Sequence, residues 1–325
     1  MFKICLIGCG YMTRDGHGPS CAQYARTHED VELTACCDIN PEAAEATRQK
    51  FGFQRAYTDY IEMAEKESPN VILAITPVAL TAEVSIELLD RKIPVFLEKP
   101  PGMDGEQTMA IHEAAIRNNT PARVAFNRRY MPLVRALKEE LAEIGQPVLD
   151  VDCMFVRSGR TDADFSTTAI HAIDLVSHLA GSEYQTVNFL YQDIMFKDKP
   201  VVNTKMSAVM KNGATASLTF QPCGGCVVER ITVTLPGYTM FLELPVWGGM
   251  DAPGRLVCTK GRTAYKTICG DHETMHESNG FYDESRLFFE ALQAGEHPAS
   301  DVVTGADGVV IAQHIRQRKD KYTKG

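Results

Sequence analysis

Up to about residue 122 the chain alternates between short apolar runs and segments of helical periodicity. "KICLIG" (Lys3 to Gly8), "VELTACCD" (Val31 to Asp38), "VILAITP" (Val71 to Pro77) and "VFLE" (Val95 to Glu98) read as strands. "PEAAEATRQKFG" (Pro41 to Gly52), with proline at its start and glycine at its end, reads as a helix, as does "TAEVSIELLDRK" (Thr81 to Lys92). Strands that are apolar almost throughout, alternating with helices, predict a parallel sheet covered on both faces.

After residue 122 the period changes to two. Beyond a helix near Met131 to Ile144 come "VLDVDCMFVR" (Val148 to Arg157), "VNTKMSAVMKNG" (Val202 to Gly213), "ATASLTF" (Ala214 to Phe220) and "ERITVTLPG" (Glu229 to Gly237). Successive alternating strands joined by short glycine turns predict a mainly antiparallel sheet. Two helices are expected against it, near Ile170 to Ala180 and Tyr282 to Ala294. A last helix around Ala306 to Arg318 is free to pack back on the first domain. The expected fold is therefore α/β: a Rossmann dinucleotide-binding domain over 1–122, then a second α/β domain with a large open sheet over 123–325.

Composition narrows the function classes. The 325 residues are 44% hydrophobic and 23% charged, with a formal net charge of -9, so no overall field favours nucleic acid or an anionic membrane. "MFKICLIGCGYM" lacks a basic n-region and is broken by glycines, and no later stretch approaches the ~20 uninterrupted apolar residues of a membrane span. It reads as a first strand, and a cytoplasmic protein is expected. The ten cysteines are scattered among apolar neighbours, as in Cys36-Cys37 and Cys153, a pattern of reduced thiols rather than a disulfide framework.

"GCGYMT" follows the first strand and supplies Gly8-x-Gly10, with Thr13 where a third glycine or alanine is usual. In a dinucleotide site the first glycine allows the tight turn and the second lets backbone approach the pyrophosphate. The helix start, here Tyr11 and Met12, faces the phosphate charge. Gly16 or Gly18 serves as the third glycine if the loop is longer. Asp38 ends the second strand where an acid bonds a ribose 2′-hydroxyl and repels a 2′-phosphate, so NAD is expected rather than NADP. Thr76 and Pro77 leave the sheet at its carboxyl edge, where cofactors bind. "EKPPG" puts Glu98, Lys99 and Pro100 on the same edge, with a cis bond before a proline able to aim Lys99. Arg157 and Arg160 lie between strand and helix and suit either a substrate carboxylate or phosphate or, equally, a role as surface charges.

Three further patterns carry less. "HETMH" (His272 to His276) fits a zinc motif but has no apolar periodicity around it. "CGGC" (Cys223 to Cys226) has no second pair and suits a hairpin between two strands. His178, seven residues after His171, has metal spacing but reads as a packing histidine. No metal is expected.

Strand-GxG, the strand-end acid, "TP", "EKP" and "FNRRYMP" (Phe126 to Pro132), in that order, resemble the glucose-fructose oxidoreductase / inositol dehydrogenase (Gfo/Idh/MocA) family. The resemblance covers the first domain well and the second in outline. It implies NAD(P)-dependent hydride transfer between nicotinamide and a hydroxyl-bearing carbon of a sugar, polyol or related small molecule. Lys99 would be catalytic or substrate-orienting, with Asn127 among the substrate contacts. In "STTAIHAID", His171 and Asp174 match the family's second-domain helix and make His171 the general base. Thr167 stands where the family has an aspartate, a departure that Asp162 or Asp164 from the preceding loop is placed to offset. The second-domain sheet would serve as a homodimer or homotetramer surface. Thr167 keeps two alternatives open: a non-catalytic NAD(P)-binding sensor or regulatory protein, and a redox-neutral NAD-using epimerase or glycosidase.

Overall fold

The computed structural model describes residues 1–161, 166–271, 274–298 and 301–324. The chain forms two compact units, Met1–Asn127 with Gly280–Val309, and Arg128–Asn279 with Val310–Gly325.

The first unit is built on six parallel strands: β1 (Phe2–Ile7), β2 (Val31–Cys37), β3 (Arg55–Tyr57), β4 (Val71–Ala74), β5 (Val95–Leu97) and β6 (Ala122–Val124). Their order is β3-β2-β1-β4-β5-β6, the parallel sheet the apolar runs predict. Helices α1 (Gly18–Thr27), α2 (Pro41–Phe51), α3 (Tyr60–Glu67), α4 (Val78–Asp90) and α5 (Gly105–Arg117) make the connections. Local signals set their ends. The Asn40 side chain accepts the Glu42 N–H at 2.9 Å to start α2, and Gly52 ends it at φ +85°, a left-handed cap that glycine adopts without a Cβ penalty. Strand order reverses between β1 and β4, so the chain departs from them in opposite directions and leaves a crevice at their carboxyl ends, where ligands of such sheets bind.

The second unit holds α6 (Pro132–Ile144), β7 (Asp150–Ser158), α7 (Ser166–Ala180) and the strands β8 (Tyr184–Phe196), β9 (Lys199–Met210), β10 (Thr215–Gly224), β11 (Val228–Leu235), β12 (Tyr238–Leu244), β13 (Arg255–Lys260) and β14 (Thr263–Cys269). A short helix, α8 (Met275–Ser278), closes this stretch, and the last strand, Lys321–Thr323, pairs with β8. The nine strands are antiparallel except that β7 and β10 run parallel. Inward positions of β7, β9, β10 and β11 pack with Leu133, Leu137, Ile173, Val176 and Leu179 of α6 and α7. One expectation fails here. "CGGC" is not a hairpin turn, because β7 lies between β10 and β11 and pairs with both, so the connection carrying Cys223 and Cys226 must cross over a strand.

The helix expected against this sheet near Tyr282 belongs to the first unit instead. In α9 (Phe281–Gln293), Phe289 packs 6.1 Å from the Phe2 ring and 5.2 Å from Tyr24, and Phe288 lies 6.2 Å from Phe96. Three phenylalanines on one helix match an aromatic core already formed by β1, α1 and β5, and that is what draws the helix there. The following helix, α10 (Val302–Arg316), begins in the first unit and ends in the second. Among the described residues no helix is long and apolar enough to cross a membrane.

Candidate functional site

The first group of candidate residues lies at the carboxyl edge of the six-stranded sheet. Gly8 follows β1 at φ +90°, and a Cβ there would fall 2.0 Å from the Ile75 carbonyl oxygen after β4. Only glycine fits this crossing of two backbones. A Cβ on Gly10 would meet nothing within 4 Å, so backbone is open to a ligand there. Tyr11 is 57% exposed and Met12 half-buried at the helix start beside it.

Thr13 does not break the turn. Its buried hydroxyl donates to the Gly8 carbonyl at 2.5 Å, closing the loop with a side chain. Thr13–His17 forms a π turn before α1, and such a turn inserts one residue into the helix. The close-packing glycine is thereby displaced to Gly18, where a Cβ would sit 2.5 Å from the Phe51 ring of α2 and 2.6 Å from the Thr13 carbonyl oxygen.

Asp38, immediately after β2, accepts the Cys9 N–H on Oδ2 at 2.7 Å and the Asn40 N–H on Oδ1 at 2.9 Å. The carboxylate is fixed beside the glycine turn, and each oxygen keeps further lone-pair capacity for a hydroxyl. Ile39 next to it is 92% exposed, where a 2′-phosphate would need a cation. A cradle that only glycine permits, an open second glycine, a helix start and an anchored acid together fit a dinucleotide. Thr76 and Pro77 lie where expected, Thr76 3.3 Å from the Thr81 hydroxyl and Pro77 capping α4.

Glu98 ends β5 and is buried. One oxygen lies 3.0 Å from His17 Nε2, and the other accepts the Lys99 backbone N–H at 2.9 Å. Burial works against its charge, but the His17 contact and Lys99 prevail and hold the carboxyl below its usual range. Lys99 is half-buried, and the bond to Pro100 is cis. Asn127, the last residue of this unit, is 2% exposed and opens a short 3-10 turn.

The second group lies in the other unit, around α7. Thr167 and His171 stand one turn apart on that helix, with Asp174 a further turn on. His171 is 7% exposed, and its Nε2 lies 3.3 Å from Arg128 Nη1. An arginine only donates, so in this contact Nε2 is the accepting nitrogen. Arg128 is held by Glu229, which accepts from Nε at 3.2 Å and from Nη2 at 2.9 Å. Arg157 also donates to Glu229 and is buried. Burial would raise the Glu229 carboxyl, but the two guanidinium groups outweigh it and hold it below the usual range. Asp174 takes both arms of Arg129, at 2.8 Å for Nε; burial pushes its carboxyl up against that pull. His178 is pushed down to about 3 by burial and by the charges of Arg129 and Lys138, which keeps it neutral near pH 7.

The sequence pattern singles out neither His17 nor Glu229, and it holds Arg128 and Arg129 within "FNRRYMP" without a role. It places Arg157 toward substrate or at the surface, whereas the side chain turns inward to Glu229. Asp162, Asp164, His272 and Glu273 lie outside the described residues. Among the described residues no cluster of three His, Cys, Asp or Glu side chains gathers as a metal site, and all ten cysteines are free thiols.

Comparison with known proteins adds to this geometry. Residues 2–126 match the family model described as an oxidoreductase family with an NAD-binding Rossmann fold. The chain is 26% identical over 197 residues to inositol 2-dehydrogenase of Salmonella typhimurium, covering 58% of this chain and 57% of that one. It is 27% identical over 168 residues to levoglucosan dehydrogenase of Pseudarthrobacter phenanthrenivorans, covering 46% and 43%. The chain thus spans about half the length of these curated relatives. A solved levoglucosan dehydrogenase in complex with NADH superposes with a TM-score of 0.81 at 18% identity, over 99% of this chain and 98% of that one, a likeness of fold.

Proposed function

We propose that the chain, whose residues 2–126 match the Gfo/Idh/MocA oxidoreductase family model, is a member of that family and an NAD-dependent dehydrogenase or reductase acting on a hydroxyl-bearing carbon of a sugar, polyol or related small molecule. The observation that carries the reading is one sheet edge bearing the Gly8 turn, the anchored Asp38 and, at the end of β5, Lys99. The nicotinamide, when bound, supplies the hydride acceptor or donor. Lys99 donates a hydrogen bond to the reacting oxygen and stabilises its developing negative charge. His171 takes the hydroxyl proton on Nε2 once the Arg128 N–H, which occupies that nitrogen's one lone pair in this structure, gives way to substrate. Gly8, Gly10, Tyr11 and Met12 hold the pyrophosphate, Asp38 the ribose, and Thr76, Pro77, Glu98 and Pro100 line the same edge. Asn127 and Thr167 are proposed as substrate contacts; Arg157 is proposed to act from behind, through Glu229.

The dehydrogenases named among the relatives support polyols and anhydrosugars as the first substrates to try. NAD is favoured over NADP because Asp38 is acidic and Ile39 supplies no cation. A calorimetric titration is expected to give NAD at least about tenfold tighter binding than NADP, followed by NADH absorbance with one member of a panel of inositols, aldoses, anhydrosugars and uronic acids. Equal or tighter NADP binding would overturn the cofactor assignment. Binding without NADH from any substrate would favour the second reading, a sensor or a redox-neutral enzyme, which Thr167 in place of a carboxylate supports.

The outward face of the nine-stranded sheet exposes Leu190, Val209 and Phe241 among polar residues and is proposed as a homodimer or homotetramer surface. A monomer mass by light scattering at micromolar concentration would exclude that. Ten free thiols suit a reducing compartment such as the cytoplasm.

A further inference from the structure

We propose that His17 is a positioning residue that sets the placement of Lys99 through Glu98, linking the dinucleotide turn to the strand end that carries the lysine; the inference rests on the dehydrogenase reading for its kinetic consequence. His17 closes the π turn that follows Gly8-x-Gly10, and its side chain is fully buried. The ring sits edge-on between Phe96 of β5, 5.5 Å away at 70°, and Phe281 of α9, 5.2 Å away at 85°. Its Nε2 meets Glu98 at 3.0 Å, while its Nδ1 is buried with no hydrogen-bond partner among the described residues. The ring therefore has one polar contact, and that contact is Glu98.

Stability alone does not account for this arrangement. Burying an unpartnered ring nitrogen is unfavourable, and replacing both members of a buried hydrogen-bonded pair with apolar side chains of the same shape is often nearly neutral or stabilising. What an apolar pair lacks is direction. Glu98 has two oxygens, one on His17 and one on the Lys99 backbone N–H. A carboxylate is rigid and planar, so fixing one oxygen fixes where the other lies. Lys99 is followed by two prolines, which have no N–H of their own to anchor that stretch. The Glu98 oxygen thus holds the backbone of Lys99, and His17 holds Glu98. The His17 contact and Lys99 keep Glu98 ionised against the opposing effect of burial, which strengthens both hydrogen bonds. A misplacement of about 1 Å at a reacting group costs up to roughly a hundredfold in rate.

The test compares His17→Leu with His17→Gln, whose amide nitrogen can donate to Glu98 as Nε2 does. Two readouts are taken on the full chain: kinetics with NAD and substrate, and hydrogen exchange by mass spectrometry at the peptide containing Lys99. His17→Leu is expected to lower kcat about tenfold or more and to speed Lys99 N–H exchange by at least about tenfold. NAD affinity should stay within about twofold. His17→Gln should restore both readouts to within about threefold of the parent. The proposal is overturned if His17→Leu leaves exchange and kcat unchanged, if Leu and Gln are equally impaired, or if the loss is confined to NAD affinity. Should His17→Leu not fold, Glu98→Gln and Glu98→Ala replace it. Gln keeps an oxygen for the Lys99 N–H and should protect it, and Ala should not; equal exchange in the two overturns the link. If the parent protein fails to reduce NAD with every substrate of the panel, the dehydrogenase reading fails by itself, and the exchange comparison still decides whether His17 positions Lys99.

Discussion

Lys99→Ala is expected to lower kcat by at least about a hundredfold while leaving NAD affinity within about threefold, the size of effect for removing one group that acts on the reacting oxygen. The separation follows from the geometry. The turn at Gly8 and the acid at Asp38 belong to β1 and β2, whereas Lys99 belongs to the end of β5, two strands from β1 in the sheet. Its truncation removes an ammonium without touching the glycine cradle. Steady-state kinetics beside calorimetry with NAD check it. A kcat within threefold of the parent would take Lys99 out of the mechanism, and an equal loss in NAD affinity would reassign it to cofactor binding.

The largest loss of stability is expected at Glu229, which nothing in the motifs singled out. It is fully buried and is shared by Arg128 and Arg157, themselves 3% and 6% exposed. Glu229→Gln leaves two buried guanidinium groups on one neutral amide, and breaking a buried ion pair from one side costs about 3–5 kcal/mol. Urea unfolding of the two proteins side by side reads this as a lower midpoint; a cost below about 1 kcal/mol would contradict it. The pH dependence has a defined sign. The folded-state carboxyl lies below its ordinary value, because the two arginines outweigh burial. Its contribution is therefore complete above the ordinary carboxylate range and is lost as pH falls through the lowered folded value. Glu229→Gln should lose that part of the acid sensitivity. Because Arg128 also contacts His171, kcat should fall with it.

The fold was legible in the sequence where local pattern and packing agree. Near-continuous apolar runs such as Val71 to Ala74 are buried on both faces of a parallel sheet, and "PEAAEATRQKFG" carries its own start and stop. Helix α9 misled because amphipathic periodicity shows that a helix has a buried face but not which core that face meets; Phe288 and Phe289 fit the aromatic cluster of the first unit. The "CGGC" segment misled for a related reason. A short glycine connection looks alike whether its two strands pair or flank a third, and pairing with β7 is a long-range choice.

The site was legible where chemistry and strand ends coincide, at Gly8, Asp38 and Lys99. The residues behind it were legible only by phase. Arg157 is in step with Val151, Cys153 and Phe155 on β7, and Glu229 with Ile231, Val233 and Leu235 on β11, so both charges point inward with the core positions. Two buried charges of opposite sign on paired strands need each other. His17 likewise falls on the buried stripe of Thr13, Ser20, Cys21 and Tyr24. What the sequence could not show is how the π turn brings His17 round to Glu98, a contact 81 residues away along the chain.

The most direct test of the central claim follows the hydrogen itself. The protein is mixed at stoichiometric concentration with NAD and a panel substrate carrying deuterium on its hydroxyl-bearing carbons, and the nicotinamide is analysed by mass spectrometry. Reduced cofactor one mass unit heavier, with the label at C4 of the nicotinamide ring, is the predicted result. Reduced cofactor without the label, or none with any substrate of the panel, would contradict hydride transfer.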